Sequence, residues 1–248
     1  MNVVYLTTND LLYLPTLFDR VLADGNHRSH VFIVPPLYKG QSAVGAGWRY
    51  ARTFGFRSAG ALARRIVTAE IAGESIASAC KRNGVPCEAI PDVNAPDFLQ
   101  RLQRLEPDVI VSVSCPQIFR EELLDLPRLG CVNVHGAILP NYRGVMPSFW
   151  MMLNDEQVAG VSAFFMNEDI DGGELCGQRI FRVERRQTLD AFLRRSKAVA
   201  AALILDVLRE IEDGTVTREP LDLASGSYFS WPDRKAVAEF RASGKRLW

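Results

Sequence analysis

The sequence predicts an α/β fold, a mostly parallel, twisted sheet with helices on both faces. Short runs rich in β-branched residues alternate with longer segments of helical periodicity, which is typical of parallel strands joined by crossover helices. With 248 residues, 48% of them hydrophobic, the chain is long enough to bury one substantial core. We expect a main catalytic domain at 1–212 and a small hairpin-like C-terminal appendage at 213–248.

The first half of the chain predicts three buried strands separated by helices. Strands are expected at 2–6, which reads NVVYL, and at 30–35, which reads HVFIVP, with a helix at 14–24 between them. The segment 41–83 has helical composition, and its arginines favour a solvated helix face over a phosphate site. Leucines at helical spacing within 98–108 predict a helix that Pro107 ends, and the run DVIVSVS then predicts the central strand.

The second half predicts three more strands and one long helix. Strands are expected at 130–135, 160–166 and 179–183, and the last two flank the acidic turn NEDIDGGEL. A helix is expected at 188–213, with Thr188 as its N-terminal cap. The residues beyond it mix turn formers with strand formers, which predicts the hairpin-like appendage.

Charge and cysteine content exclude several classes of function. Lys plus Arg and Asp plus Glu each number 29, so no net positive field exists to hold a nucleic acid. Five cysteines without CxxC spacing, in a chain that begins without a signal-peptide pattern, indicate reduced thiols and a cytoplasmic location. No run of eighteen apolar residues occurs. We therefore expect a small-molecule partner rather than a nucleic acid or a membrane.

Common cofactor and metal motifs do not fit the sequence. GAGWRY, at 45–50, begins like a dinucleotide-binding motif but has Tyr50 in place of the third glycine. Neither a GxxxxGK[ST] loop nor a G-x-S-x-G nucleophile motif occurs. His27 and His30 lack a matching ligand cluster, and the acidic residues within 168–174 lack the spacing of a calcium loop. We expect no metal.

Three polar residues remain as a candidate catalytic site. Asn133 and His135 are two residues apart on one predicted strand, so their side chains project from the same face at its carboxyl end. Asp171 follows a later strand, and an open α/β sheet gathers its ligands at strand ends. Taken singly, His135 could be a satisfied structural histidine and Asp171 a turn residue before two glycines. Taken together, the three predict a site.

The motifs around these residues resemble those of the folate-dependent formyltransferases, among them glycinamide ribonucleotide transformylase, methionyl-tRNA formyltransferase and the amino-sugar N-formyltransferases. That family carries Asn-x-His followed by a small residue, then Leu-Leu-Pro and often Tyr-Arg-Gly, and here the run from Asn133 reads NVHGAILPNYRG. Its later aspartate stands in an Asp-x-Gly-x-hydrophobic loop, which matches DGGEL from Asp171. The resemblance covers about 100–185 clearly. It implies a Rossmann-like formyltransferase fold.

The resemblance implies that a formyl group moves from 10-formyltetrahydrofolate to a primary amine. Asn133 and His135 would stabilise the oxyanion, His135 would alternatively relay a proton to the departing folate nitrogen, and Asp171 would orient His135 and receive the proton lost by the amine. The pterin would lie against two segments, with Ile118 and Phe119 as apolar walls unless they are ordinary core. The cofactor-binding residues so implied are Cys115, Gln117, Ile118, Phe119, Met166, Asn167, Glu168, Asp169 and Ile170.

Departures from the family pattern narrow the choice of amine acceptor. The loop after the first strand, TTNDLLYLP, lacks the glycines with which the glycinamide ribonucleotide enzyme binds phosphate, and the chain is too short and too evenly charged for the tRNA enzyme's barrel. Analogy and elimination leave a nucleotide-linked amino sugar of surface polysaccharide. Asn9, Asp10 and Arg143 are the candidate substrate-binding residues, and 226–233, which reads GSYFSWPD, is a candidate dimer element.

Several alternatives stay open at this point. The same three residues would serve a 10-formyltetrahydrofolate hydrolase, with water as the acceptor. The amine could instead belong to an amino acid or a natural-product precursor, and a non-catalytic folate-binding protein could retain the fold. Phe149 and Trp150 would pack on a sugar or base, unless a helix after the Tyr-Arg-Gly run buries them.

Overall fold

The structure of the protein is a computed structural model, which describes residues 1–35, 42–169, 171–184 and 186–248. In chain order they are β1 (Asn2–Thr8), β2 (Arg28–Val34), β3 (Cys87–Ala89), β4 (Val109–Val113), β5 (Cys131–His135), β6 (Arg143–Gly144), β7 (Val158–Phe165), β8 (Glu174–Arg182), β9 (Glu219–Pro220) and β10 (Tyr228–Phe229). Within the described ranges, eight of them form one sheet in the order β3-β2-β1-β4-β5-β7-β8-β9. The other two, β6 and β10, pair with each other.

Helices connect and cover these strands. They are α1 (Leu14–Leu22), α2 (Ala43–Phe54), α3 (Phe56–Ile71), α4 (Ile76–Arg82), α5 (Pro96–Leu105), α6 (Glu121–Leu124), α7 (Pro147–Leu153), α8 (Leu189–Glu212) and α9 (Arg234–Ala242). The strands from β3 to β5 in the sheet order are parallel, whereas β7, β8 and β9 join in antiparallel pairs. The predicted α/β class with a mostly parallel sheet is confirmed.

The two faces of the sheet bury separate sets of side chains. In β1, Val3 and Tyr5 face the core formed with α1, α4 and α8, while Val4 and Leu6 face the core formed with α5. All four are at most 1% exposed, and each buried aliphatic side chain of this kind contributes roughly 1.5–3 kcal/mol to folding. Helices on both faces therefore explain why the central strands read as continuous apolar runs.

The strand order places a crevice at the carboxyl end of the sheet. β2 and β3 lie on one side of β1, and the chain then crosses back to place β4 on the other side, so the strand order reverses between β1 and β4. Such a switch point opens a crevice outside the strand ends, where open α/β sheets bind their ligands. β4 and β5 end at the same edge as β1, which brings their following loops together there.

Several elements differ from the predicted ones. Residues 43–82 form α2, α3 and α4, as expected from the composition of this segment, and α7 is the helix that the alternative for Phe149 and Trp150 expected, but β3 was not predicted. β8 begins at Glu174, so it takes in the last two residues of the predicted acidic turn, because both pair with Phe164 and Phe165 of β7. Among the described residues, no helix combines the length and the apolar character needed to cross a membrane.

The C-terminal residues pack against the rest of the chain. The two tail strands do not pair with each other, since β9 joins β8 and β10 joins β6. Phe240 of α9 and Leu247 are buried in one cluster with Phe149 and Phe192. The division into 1–212 and 213–248 stays a prediction.

Candidate active site

His135 stands at the carboxyl end of β5 and is held by the loop that follows. Its Nε2 lies 2.8 Å from the carbonyl oxygen of Tyr142. Because a carbonyl oxygen only accepts, this contact places a hydrogen on Nε2 and leaves Nδ1 as the second working nitrogen of the ring. The side chain is 8% exposed, so its orientation is set by these contacts rather than by water.

Asp171 lies opposite, in the loop between β7 and β8. Its Oδ2 accepts a hydrogen bond from the backbone N–H of Gly144 at 2.7 Å, and its Oδ1 lies 3.5 Å from Nδ1 of His135. The residue has φ of 49°, in the left-handed region that aspartate tolerates better than most residues. The carboxylate is 13% exposed, so it is a mostly buried negative charge facing the imidazole.

Asn133 completes the group from the middle of β5. Its backbone lies between Ser112 of β4 and Phe164 of β7. The side chain is half-buried and lines the same cavity as His135 and Asp171. Within the part of the chain that the structure describes, its amide has no hydrogen-bond partner, so its N–H groups are available to a ligand. The three predicted residues are thus brought together.

A cavity of about 660 Å³ opens beside these three residues, within the size range typical of small-molecule sites. Eight of the nine predicted cofactor-binding residues line it, and they are Cys115, Gln117, Ile118, Phe119, Met166, Asn167, Glu168 and Asp169. The ninth, Ile170, lies outside the described residues. The cavity therefore joins the predicted folate segments to the predicted catalytic residues.

The predicted folate segments offer different surfaces to the cavity. Ile118 is 68% exposed at its mouth, whereas Phe119 is 3% exposed and belongs to the core as well as to the cavity wall. The Gln117 amide is occupied, since it accepts from the N–H of Val93 and donates to the carbonyl of Pro91. Burial raises the pKa of the Cys115 thiol to about 11, so this wall carries no thiolate near neutral pH.

The predicted substrate residues lie away from the described lining. Asn9 is exposed, and the Asp10 carboxylate accepts from the N–H groups of Leu12 and Tyr13, where it stabilises the turn before α1. Neither residue lines the cavity. Arg143 is half-buried beside Gly144, and its Nε has no partner among the described residues.

Sequence reasoning missed the wall that α8 contributes. Leu189, Leu193, Ser196 and Lys197 of this helix line the cavity. The ammonium of Lys197 donates to the hydroxyl of Ser114 at 2.8 Å. Burial lowers the pKa of Lys197, and the carboxylate of Asp10 partly opposes that shift. The sequence feature that could have predicted this wall was the polar pair Ser196–Lys197 in a helix whose inner face is otherwise apolar.

The apolar end of the cavity comes from the helix after the Tyr-Arg-Gly run. Phe149 is fully buried in α7, and Trp150 is half-buried with its Nε1 donating to the carbonyl of Ser230. Trp150 also stacks on Phe229, with ring centroids 4.9 Å apart. Both aromatics therefore serve packing, as the helical alternative expected, although Phe149 also borders the cavity.

A buried serine holds the loop between His135 and Tyr142. The Ser162 hydroxyl, which is inaccessible to solvent, donates to the carbonyl of Ala137 and accepts from the N–H of Leu139. Gln178 donates both to this hydroxyl and to the carbonyl of Leu139. The loop is thus tied to β7 and β8 just beyond His135.

Comparisons with known proteins identify the family of this chain. A family model described as formyl transferase matches residues 68–208, more than half of the chain. A methionyl-tRNA formyltransferase of Ruminiclostridium cellulolyticum is 32% identical over 136 residues, which is 55% of this chain and 44% of that protein. One of Clostridioides difficile is 32% identical over 146 residues, or 59% of this chain and 47% of that protein. The chain therefore spans about half the length of the curated relatives it matches.

Solved structures share the fold at low sequence identity. A sugar N-formyltransferase from Shewanella matches 98% of this chain and 79% of its own, with a TM-score of 0.60 and 16% identity. An N-formyltransferase from Helicobacter canadensis, solved with folinic acid and dTDP-3-aminofucose, covers 98% and 80%, with a TM-score of 0.62 and 16% identity. Glycinamide ribonucleotide transformylase 1 from Symbiobacterium toebii covers 90% and 95%, with a TM-score of 0.61 and 15% identity.

Proposed function

This chain belongs to the formyl transferase family, as its motifs predicted, and from that membership we propose that it transfers a formyl group to the primary amine of a nucleotide-linked amino sugar. Members of the family take the group from formyltetrahydrofolate. The observation that carries the proposal is the meeting of Asn133, His135 and Asp171 at one cavity. An amide donor, an imidazole and a carboxylate are the groups that acyl transfer to an amine requires.

The cavity suits a formylated folate on three counts. Its volume of about 660 Å³ fits a bicyclic heterocycle with its formyl-bearing arm. Ile118, Phe119 and Met166 present apolar surface to a flat ring. Glu168 and Asp169 lie in an exposed turn, where the backbone N–H and carbonyl of Asp169 are bonded to Asn167 and Gly172, which leaves the backbone groups of Glu168 to pair with the ring edge. When bound, the folate supplies an activated formyl carbon, and the protein's residues stabilise the charge and transfer the protons.

Asn133 is the proposed donor to the formyl oxygen. Negative charge grows on that oxygen as the amine attacks, and a preorganised N–H stabilises it without reorganising water. Since the Asn133 amide has no partner within the described residues, it gives up no existing hydrogen bond to do this. The half-buried position strengthens the interaction relative to one in bulk water.

His135 and Asp171 are proposed to manage the protons. The Nε2–H of His135 is engaged by Tyr142, so the nitrogen available to the cavity is Nδ1, which faces Asp171. A proton leaving the amine can pass to Asp171 directly or through water, and Nδ1 can carry it toward the departing folate nitrogen. The fixed hydrogen on Nε2 keeps the ring in the orientation that this transfer needs.

Lys197 supports an acceptor that carries a negative charge. Its ammonium is half-buried and donates a hydrogen bond to a neutral hydroxyl, that of Ser114. The nearby carboxylate of Asp10 accepts two backbone hydrogen bonds of the turn before α1 through Oδ1, and its charge partly opposes the lowered pKa of Lys197. A half-buried cation that makes no ion pair with the described residues gains from an anionic ligand, and the phosphates of a nucleotide-linked sugar provide one.

The curated relatives raise methionyl-tRNA as a second acceptor, because they are methionyl-tRNA formyltransferases at about one-third identity. The balanced charge of this chain weighs against it, since a polyanion is held by many basic contacts. We therefore rank the amino sugar first and keep tRNA in the test. The cytoplasmic location and the pairing of two copies remain predictions.

The test is an acceptor panel with tetrahydrofolate release as the readout. Purified protein receives 10-formyltetrahydrofolate with nucleotide-linked amino sugars, amino acids, methionyl-tRNA or no amine, and a His135→Ala preparation serves as the control for contaminating activity. We expect slow release without an amine and faster release with an amino-sugar nucleotide. Fast release without any amine would identify a hydrolase, and no release with any acceptor would identify a folate-binding protein.

A further inference from the structure

Two short contacts to one loop set the distance between His135 and Asp171. The carbonyl of Tyr142 accepts from Nε2 of His135, and the N–H of Gly144 donates to Oδ2 of Asp171. We refer to residues 142–145 as the Tyr-Arg-Gly loop. Whatever holds this loop in place also sets how His135 and Asp171 face each other.

The Tyr-Arg-Gly loop has a backbone that needs external support. Tyr142 has φ of 58° and the following Met146 has φ of 56°, both in the left-handed region that side chains other than glycine disfavour. Such conformations persist where the surroundings over-determine them. The regular structure within the loop is the two-residue strand β6, whose partner is β10 of the C-terminal tail.

The support comes from the C-terminal tail. Ser227 accepts from the loop twice, through its hydroxyl from the N–H of Tyr142 and through its carbonyl from the N–H of Arg143, both at 2.9 Å. The carbonyl of Phe229 accepts from the N–H of Val145 at 2.8 Å. The Phe229 ring stacks on Tyr142, with centroids 5.2 Å apart and planes 13° apart. Three of the four loop residues therefore donate to the tail.

Two glycines let the tail approach this closely. A Cβ on Gly144 would lie 2.3 Å from the carbonyl oxygen of Phe229, and a Cβ on Gly226 would lie 2.2 Å from the carbonyl oxygen of Pro140. Backbone thus packs directly on backbone at both ends of the contact. Between them, Tyr228 lines the cavity.

We propose that residues 226–229, which we name the tail clamp, are a positioning element of the active site rather than a separate appendage. The clamp lies outside the segment that matches the family, 68–208. It acts through the Tyr-Arg-Gly loop, because loosening it frees the Tyr142 carbonyl and the Gly144 N–H together. Tyr228 forms a cavity wall beside that loop. Only the expected effect on turnover rests on the proposed function. The effect of the tail clamp on the His135–Asp171 geometry can be tested without any turnover.

The test compares two serine-to-alanine variants in the same tail. Ser227→Ala removes the acceptor for the N–H of Tyr142, while Ser225→Ala removes a hydroxyl that donates to the carbonyl of Asp222 and does not contact the loop. Gly226→Ala pushes the clamp from Pro140 without touching His135 or Asp171. Ser227→Thr keeps the hydroxyl and serves as the rescue.

The first readout is the nitrogen NMR spectrum of the imidazoles, which needs no turnover. The chain has three histidines, so His135 is assigned by its loss in a His135→Gln variant, and His27 and His30 serve as internal references. We expect a single Nε2–H form of His135 in the wild type and in Ser225→Ala, and a tautomer mixture in Ser227→Ala and Gly226→Ala. Unchanged His135 signals in both clamp variants would overturn the proposal, whatever their activity.

The second readout is the split between kcat and KM. We expect Ser227→Ala to lower kcat about ten-fold while KM for the folate changes less than about two-fold, because a small displacement near the reacting groups costs rate more than binding. Ser227→Thr should recover most of the rate. An equal loss of kcat in Ser225→Ala would show that the tail has only a general structural role. A loss of kcat that is explained by a lower Tm would show the same, and either result would reject the tail clamp. If no acceptor is turned over at all, the NMR result still decides the inference.

Discussion

Nδ1 of His135 lies 3.5 Å from Oδ1 of Asp171, while the opposite ring nitrogen lies 2.8 Å from the carbonyl oxygen of Tyr142. One ring edge is thus fixed by a neutral acceptor and the other faces a mostly buried carboxylate. This arrangement separates orientation from proton transfer, since Tyr142 sets the ring and Asp171 is left to exchange protons. It makes the two polar partners of His135 separately testable.

Asp171→Asn and His135→Ala should each lower kcat at least about a hundred-fold. The asparagine can still accept from the N–H of Gly144 through its carbonyl oxygen, so the loop contact is kept while the proton acceptor is lost. Binding of a non-reactive folate analogue, measured by fluorescence titration, should change less than about three-fold. Wild-type turnover in either variant would reject the assigned roles.

Asn133→Ala should cost about 3 kcal/mol in activation free energy, as for other single oxyanion donors. The free energy of unfolding should change little, because the amide has no hydrogen-bond partner among the described residues. Steady-state kinetics and urea unfolding measure the two effects. Asn141→Ala, at an exposed position in the loop after β5, is the matched control and should leave both near the wild-type values. A stability loss as large as the rate loss would make Asn133 a structural residue.

The position of the polar residues at the carboxyl end of β5 could be predicted from the sequence for a physical reason. Asn133 and His135 lie on one strand, where a period of two fixes which side chains share a face. Asp171 lies in the loop between β7 and β8, which leaves the sheet next to Val132 because β7 runs antiparallel to β5, so the loop folds back to reach His135. Strand periodicity was therefore sufficient to predict that Asn133 and His135 share a face, whereas the family motif around Asp171 placed that residue with them.

The remaining walls depend on long-range packing that periodicity does not encode. Lys197 lies within a long helix, and its position over Ser114 results from how α8 packs on β7 and α1. Tyr228 reaches the cavity because β10 pairs with β6, 85 residues earlier in the chain. The two-residue strands β6 and β10 are too short for a strand pattern to reveal.

Ser162→Ala should lower the free energy of unfolding by about 2–3 kcal/mol. The buried hydroxyl accepts from Leu139 and Gln178 and donates to Ala137, so its removal leaves buried polar groups without a partner while the lost volume is small. Urea unfolding followed by circular dichroism measures the change. Ser225→Ala, whose hydroxyl bonds only within the tail turn, should change it by less than about 0.5 kcal/mol. Equal losses in the two variants would contradict the role of Ser162.

Lys197 should make acceptor binding sensitive to alkaline pH. Burial lowers the pKa of its ammonium, so the positive charge is lost at a pH below the value of about 10.4 for an ordinary lysine. Because an anionic acceptor keeps its charge there, KM for the acceptor should rise as pH approaches the lowered pKa, with kcat little changed. Lys197→Arg should keep KM flat over that range, and Lys197→Met should raise KM at all pH values. A KM profile shared by wild type and Lys197→Met would reject the anion role.

The same lysine should leave a mark on stability whose sign is fixed by linkage. Below its lowered pKa the folded protein carries a half-buried charge that the unfolded chain would leave in water, so the residue is destabilising near neutral pH. Between the folded and unfolded pKa values the unfolded state binds more protons, and stability contributed by this group rises with pH. We therefore expect Lys197→Met to raise the free energy of unfolding near neutral pH. This gain in stability should shrink as the pH rises toward the pKa of an ordinary lysine. Urea unfolding across that range, with Lys235→Met at an exposed site as the control, measures it. A gain that does not depend on pH would show that packing, and not the charge, is responsible.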